Sequence, residues 1–201
     1  MNEGSSAAPR SASMPAERMR VFFALWPDAA TAAALHARGR TLRAECGGRL
    51  MRRETVHMTL AFLGDVPASR LAVLEEVAGA LHAERFVLEL DRVGGWHGHR
   101  VLWAGCETVP AALQALAAEL GARLHAAGFE LEARAFNPHV TLVRNALRSP
   151  RQAETPLLRW PVASFVLVAS ERYADGAHYR VLERWSLGEG GAAPVRGRGP
   201  N

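Results

Sequence analysis

The chain contains no lysine: its 24 basic residues are all arginine, and the net charge is +4. Arginine presents a planar fork of donors suited to phosphate oxygens, so this balance is compatible with a nucleic-acid substrate. A biased base composition would produce the same abundance of Ala, Gly and Arg. Cysteine is scarce. Cys46 and Cys106 stand at no metal-ligand spacing and belong to no disulfide framework, so both read as small buried residues. No apolar run approaches the roughly 18 residues needed to cross a bilayer. Residues 1–18 lack the apolar centre of a secretory signal. A cytoplasmic monomer without membrane contact is the expectation. Neither a glycine-rich phosphate loop nor a serine-nucleophile motif is present.

What remains is an ordinary globular composition, 49% hydrophobic and 22% charged, over a length suited to one domain or to two similar halves. Residues 1–18 are rich in Ser, Ala and Pro, and residues 188–201 in Gly, Pro and Arg. Neither segment can bury enough apolar surface to offset chain entropy, so both are expected to be disordered tails around a single bilobed domain at 19–187.

An internal repeat organises that domain. Arg20-Val-Phe-Phe-Ala-Leu-Trp is echoed by Arg100-Val-Leu-Trp-Ala-Gly-Cys, His57-Met-Thr-Leu by His139-Val-Thr-Leu, and Phe86-Val-Leu-Glu-Leu by Phe165-Val-Leu-Val-Ala. Three echoes in one order at nearly one offset predict two structurally similar lobes. Each opens with a short apolar strand (Val21–Trp26, Val101–Cys106), followed by an alanine-rich helix at Asp28–Glu45 or Thr108–Ala127. Asp28 and Thr108 are candidate N-caps, and Gly128 a C-terminal stop. A histidine strand comes next in each lobe. The first lobe continues with a helix at Ala68–His82 and a strand at Arg85–Val93. The second has a loop around Arg148–Pro156, a strand at Val162–Arg172, an Asp175-Gly176 turn and a strand at His178–Leu187, which together predict a hairpin. The expected class is α+β: two antiparallel sheets related by a pseudo-twofold, facing a central cleft, with helices outside.

Strand side chains alternate between faces. In each histidine tetrad the His and Thr therefore share one face, about 6–7 Å apart along the strand, while Met58 and Leu60, or Val140 and Leu142, point into the core. A twofold brings two imidazoles and two hydroxyls together, and that set suits a phosphate diester. One imidazole takes a proton from water while the other protonates the departing ribose oxygen, since an unperturbed pKa of about 6.5 makes both usable near neutrality. Thr59 and Thr141 can donate to non-bridging oxygens. Arg144 is the candidate for the extra transition-state charge, but in a regular strand it faces away from Thr141, so a bulge or strand end must intervene. A lone histidine on a strand more often has a structural role. Two identical tetrads at matching places in a repeat favour chemistry.

His57-Met-Thr-Leu-Ala-Phe-Leu-Gly64 and Asn137-Pro-His-Val-Thr-Leu-Val-Arg144 resemble the paired motifs of the two-histidine phosphoesterase superfamily. More narrowly they resemble its bacterial and archaeal RNA 2′,3′-cyclic phosphodiesterases, historically called 2′-5′ RNA ligases. The resemblance runs from about Arg20 to Leu187. It implies a bilobed α+β fold and metal-independent, cofactor-free hydrolysis of an RNA 2′,3′-cyclic phosphate to a 2′-phosphate. His57 would be the proton donor and His139 the proton acceptor, with Thr59, Thr141 and Arg144 holding the phosphate. A small cyclic nucleotide as substrate, 2′-5′ end joining at the same site and a non-catalytic RNA-end binding module are the alternatives. Relatives often carry Pro before the Glu where this chain has Arg52-Arg53-Glu54; the arginine pair reads as an exposed turn, or else as a basic approach to the cleft.

His97-Gly98-His99 has neither a carboxylate nor a third histidine at ligand spacing and reads as a loop. His36, His82, His125 and His178 read as surface residues. Trp96, Trp103 and Phe136 are candidates for stacking a nucleobase, with core packing the expectation for Trp103.

Overall fold

The structure is a computed structural model that describes residues 17–96, 100–131, 135–150, 157–173 and 176–188. Residues 1–16 and 189–201 of the expected tails at 1–18 and 188–201, together with His97-Gly98-His99, residues 151–156 of the second-lobe loop and Asp175, lie outside the described residues.

The first strand, β1 (Arg18–Leu25), begins one residue before the expected domain start. Five consecutive residues from Val21 are buried, as in a strand covered on both faces. Val21, Phe23 and Leu25 join the main core, while Phe22 and Ala24 belong to a separate cluster with Val166 and Val168. Helix α1 (Ala29–Cys46) follows. Asp28 caps it as expected, its Oδ1 accepting the Thr31 N–H at 2.7 Å.

The remaining elements in chain order are β2 (Arg49–Leu50), a 3₁₀ turn at Arg53–Thr55, β3 (Met58–Pro67), a 3₁₀ turn at Ala68–Arg70, α2 (Leu71–Gly79), β4 (Phe86–Leu90) and β5 (Arg92–Trp96). Then come β6 (Val101–Gly105), α3 (Ala111–Ala126), β7 (His139–Arg144), β8 (Leu158–Val162), β9 (Ser164–Tyr173) and β10 (Gly176–Ser186). Thr108 does not cap α3. The helix starts at Ala111 behind Pro110, whose fixed φ suits a helix entry and which has no side chain to cap with. Gly128 does end it: with φ +76 it lets its own N–H reach the His125 carbonyl and the Phe129 N–H reach Leu124.

All ladders are antiparallel. One path runs β10-β9-β1-β3-β7-β6-β5 with β2 also on β7, and β4 and β8 form a two-stranded sheet of their own. This is the expected bilobed α+β protein. One lobe is β10-β9-β1-β3 and the other β2-β7-β6-β5, and they join through the single pair Met58↔Val140. The twofold also explains the small sheet. β4 runs into β5, which pairs β6; β8 runs into β9, which pairs β1; and β4 and β8 pair with each other. The structural counterpart of β4 is therefore β8. The Phe86/Phe165 echo matched two strands that are not equivalent, because two short apolar runs of similar composition occur in succession there. The opening echo is also displaced by one residue: Leu25 pairs Met58 as Ala104 pairs Val140, an offset of 79.

The core lies on the face of the sheets opposite the tetrads' polar side chains. Leu113, Leu116, Leu120 and Leu124 of α3 are buried one or two turns apart, and Leu35, Leu42 and Cys46 do the same for α1. Phe23, Phe165 and Trp185 pack with ring centroids 5.3–6.3 Å apart. Burying each such large apolar side chain stabilises by roughly 1.5–3 kcal/mol.

Candidate active site

The two tetrads meet at the seam between the lobes. Antiparallel pairing of Met58 with Val140 turns His57 toward Thr141 and Thr59 toward His139. Met58, Leu60, Val140 and Leu142 are buried, and the four polar residues remain half-buried on the other face. His57, Thr59, His139, Thr141 and Arg144 line one cavity of about 80 Å³, with Met51 and Thr55 completing its wall.

Arg144 reaches this face through the irregularity its position demands. Leu102 pairs Val143 and Trp103 pairs Thr141, so β7 carries one extra residue, Leu142. Such a bulge resets the alternation. Leu142 and Val143 are both buried in succession, and Arg144 emerges beside Thr141 instead of opposite it. The first lobe has the same bulge at Leu60, between Thr59 and Ala61. Its residue equivalent to Arg144 is Phe62, which carries the Arg20 guanidinium 4.7 Å above its ring. The polar tetrads are duplicated. The cation is not.

Each imidazole is fixed alike. His57 Nδ1 lies 2.7 Å from the Thr55 carbonyl and His139 Nδ1 2.8 Å from the Asn137 carbonyl. A carbonyl only accepts, so Nδ1 carries the hydrogen and Nε2 is left to exchange protons. Burial pushes the His57 pKa down to about 4, opposed by its hydrogen bond to Thr55 and assisted by repulsion from Arg144 and His139. His139 is lowered as well, by burial first, with repulsion from Arg144 adding to it and the hydrogen bond to Asn137 opposing it. Both rings are therefore neutral at pH 7.

Aromatic rings surround His57. Trp26 stacks on it within 4° of parallel at 5.4 Å, and Phe22 and Tyr179 lie at 4.9 and 5.2 Å. The sequence reading missed all three. Alternation along β1 puts Phe22, Ala24 and Trp26 on one side of the strand, a signal that was available; Tyr179 had none, being brought in from β10. On His139 the counterpart is Trp96, edge-on at 4.4 Å. Trp96 and the 36% exposed Phe136 line a cleft of about 1060 Å³ that opens from Thr59, His139 and Thr141, so both stand where a nucleobase could lie. Trp103 departs from the core packing expected of it: it pairs Thr141 on the tetrad face, is half-buried, joins neither core cluster and lies 5.7 Å from Trp96. Its ring covers two glycines, and a Cβ on Gly94 would fall 2.3 Å from it, or on Gly105 2.9 Å.

Of the remaining sequence candidates, His82, His125 and His178 are exposed and His36 is half-buried. Cys46 is buried, whereas Cys106 is half-buried and its thiol is pushed up to about 11, chiefly by burial. Arg53 is exposed in its turn. Arg52 is exposed as well, and it lines a depression bordering the tetrad cavity. No described helix is long and apolar enough to cross a membrane.

Comparison with known proteins agrees with this geometry. The family model described as the 2′-5′ RNA ligase superfamily matches residues 26–174. A protein of Escherichia coli named RNA 2′,3′-cyclic phosphodiesterase is 34% identical over 85% of this chain and 98% of its own length. A Thermus thermophilus protein of the same name is 31% identical over 90% of this chain and 97% of its own. The crystal structure of E. coli LigT complexed with 3′-AMP superposes with a TM-score of 0.75 at 31% identity, covering 86% of this chain and all of that one. With paired tetrads on one seam and matches running almost end to end, the chain belongs to the 2′-5′ RNA ligase superfamily.

Proposed function

We propose that this protein hydrolyses the 2′,3′-cyclic phosphodiester at an RNA end to a 2′-phosphomonoester, with His57 as proton donor and His139 as proton acceptor. The observation that carries this reading is the meeting of both tetrads and Arg144 around one small cavity. His139 Nε2 takes a proton from water as the water oxygen bonds to phosphorus. The bond from phosphorus to O3′ breaks, and His57, protonated, donates to the departing O3′. Thr59 and Thr141 donate hydrogen bonds to the non-bridging oxygens, and Arg144 offsets the charge gathering on them in the pentacovalent transition state.

The lowered pKa of His139 fits the role of base, whereas His57 must regain a proton to act as the acid. A neutral His139 is already a base, and a bound phosphate anion favours the imidazolium form of His57, so the acid is charged when substrate arrives. One chain supplies every group, so a monomer suffices. Phe136, exposed at the wall of the large cleft, would stack on the terminal base. Mass spectrometry of a short RNA with a 2′,3′-cyclic phosphate tests the reading: the product gains one water and retains the phosphate on O2′. An unchanged RNA, bound without turnover, would make the protein a binding module.

A further inference from the structure

The tetrad cavity has a second, more basic neighbour. Arg49 stands directly opposite Arg144 across the β2–β7 ladder. Facing like charges on adjacent strands are destabilising, and neither arginine has an ion pair among the described residues. Backbone packing enforces the approach: Gly48, at φ +91, has no room for a side chain, since a Cβ there would lie 2.7 Å from the Arg144 carbonyl oxygen. Arg52 arrives from the other side, its guanidinium donating to the Ala177 carbonyl at 2.7 Å. These three arginines, with Tyr179, surround a depression of about 140 Å³ that shares Met51, Thr55 and Arg144 with the tetrad cavity and has no carboxylate in its lining among the described residues.

We infer that Arg49 and Arg52 form a second anion subsite, which binds the phosphodiester on the 5′ side of the terminal nucleotide. The inference rests on the proposed activity and deepens it, by making an RNA chain rather than a free cyclic nucleotide the preferred substrate. Arg144 is committed to the reacting phosphate, so Arg49, which faces it without an ion pair among the described residues, is available to a different negative charge, with Arg52 on the opposite side of the same depression. In an RNA end the next such charge is one nucleotide inward. The large cleft on the other side of the tetrads is mostly apolar, and Arg144 at its edge is the one charged residue lining it among the described residues. Base and backbone thus have separate destinations.

Three substrates separate the possibilities: a nucleoside 2′,3′-cyclic phosphate, the same compound with a 5′-phosphate, and a dinucleotide ending in the cyclic phosphate. The wild-type kcat/KM for the dinucleotide should exceed that for the nucleoside by about tenfold or more, mainly through KM, as one charged hydrogen-bonded contact supplies. Raising salt should steepen the decline for the dinucleotide by a slope of about 0.7 relative to the nucleoside, for one further neutralised phosphate. The ratio should fall toward parity in Arg49→Gln combined with Arg52→Gln, and Arg49→Lys should restore part of it. Equal kcat/KM for all three substrates in the wild type, or an advantage that survives the double substitution, overturns the subsite. A preference for the 5′-phosphorylated mononucleotide over the dinucleotide overturns the assignment to an RNA chain. If none is turned over, the proposed activity fails, and equilibrium binding of the three compounds decides the subsite by itself: equal affinities sink it.

Discussion

Met58 and Val140, each the residue after its histidine, form the single registered pair between β3 and β7. Because both point into the core, the residues on either side of them point out, and the catalytic candidates from two lobes converge without any side chain crossing the sheet. A single pair also leaves the strands free to part on both sides, which makes room for a ligand between them.

Replacing His57 or His139 with Ala should lower the hydrolysis rate by about 10²–10⁴-fold, the usual cost of losing a general acid or base. Both rings are half-buried and, among the described residues, hydrogen-bond only to local carbonyls, so the circular dichroism spectrum should be retained. Full activity in the double variant would remove the mechanism.

Arg144→Gln should act on rate and on titration together. Its charge depresses both histidines, so its removal should move the kcat/KM profile to higher pH while lowering its maximum by about 10²-fold, typical of a lost charge-stabilising donor. A rate loss with an unmoved profile would place the guanidinium away from the rings.

The two kinetic profiles should differ even in the wild type. In the free protein both imidazoles have lowered pKa values, His57 at about 4, so the singly protonated form that the mechanism needs lies on the acid side of neutrality. A bound phosphate anion favours imidazolium and raises those values. The bell for kcat should therefore lie at higher pH than the bell for kcat/KM, which reports the free enzyme. Coincident bells would contradict the electrostatics described above.

Gly94→Ala tests the packing behind His139. A methyl there collides with the Trp103 ring, which Gly105 confines on its other side. Overpacking of this kind costs about 1–3 kcal/mol, visible as a lower urea midpoint. A midpoint equal to the wild type would show that the ring has space to move.

Prolonged dialysis against EDTA should leave the rate unchanged. The cavity offers imidazoles, hydroxyls and a guanidinium, and the proposed mechanism draws the positive charge for its transition state from Arg144. Loss of activity that added zinc restores would require a different mechanism.

Much of the fold was readable because its signals are local. The Asp28 carboxylate caps α1 by accepting from the backbone N–H three residues on, and Gly128 ends α3 because its φ is positive; both facts are written within one helical turn. The tetrads were readable because strand alternation and repetition reinforced each other. The Phe86/Phe165 echo misled for the opposite reason: composition resembles composition, whereas strand equivalence depends on which ladder each run joins. Phe22, Trp26 and Tyr179 were missed around His57, since β1, β3 and β10 are distant in the chain and only the sheet order brings them together.

By itself the sequence determined the chemistry on offer, namely two imidazoles and two hydroxyls on the solvent faces of two matching strands, because side-chain direction in a strand follows from parity alone. Tertiary structure decided that these strands are neighbours, that a bulge at Leu142 turns Arg144 toward them, and that Arg49 is held against Arg144 beside the cavity. Those depend on ladder register, which is set by how distant segments pack and not by any stretch of residues read alone.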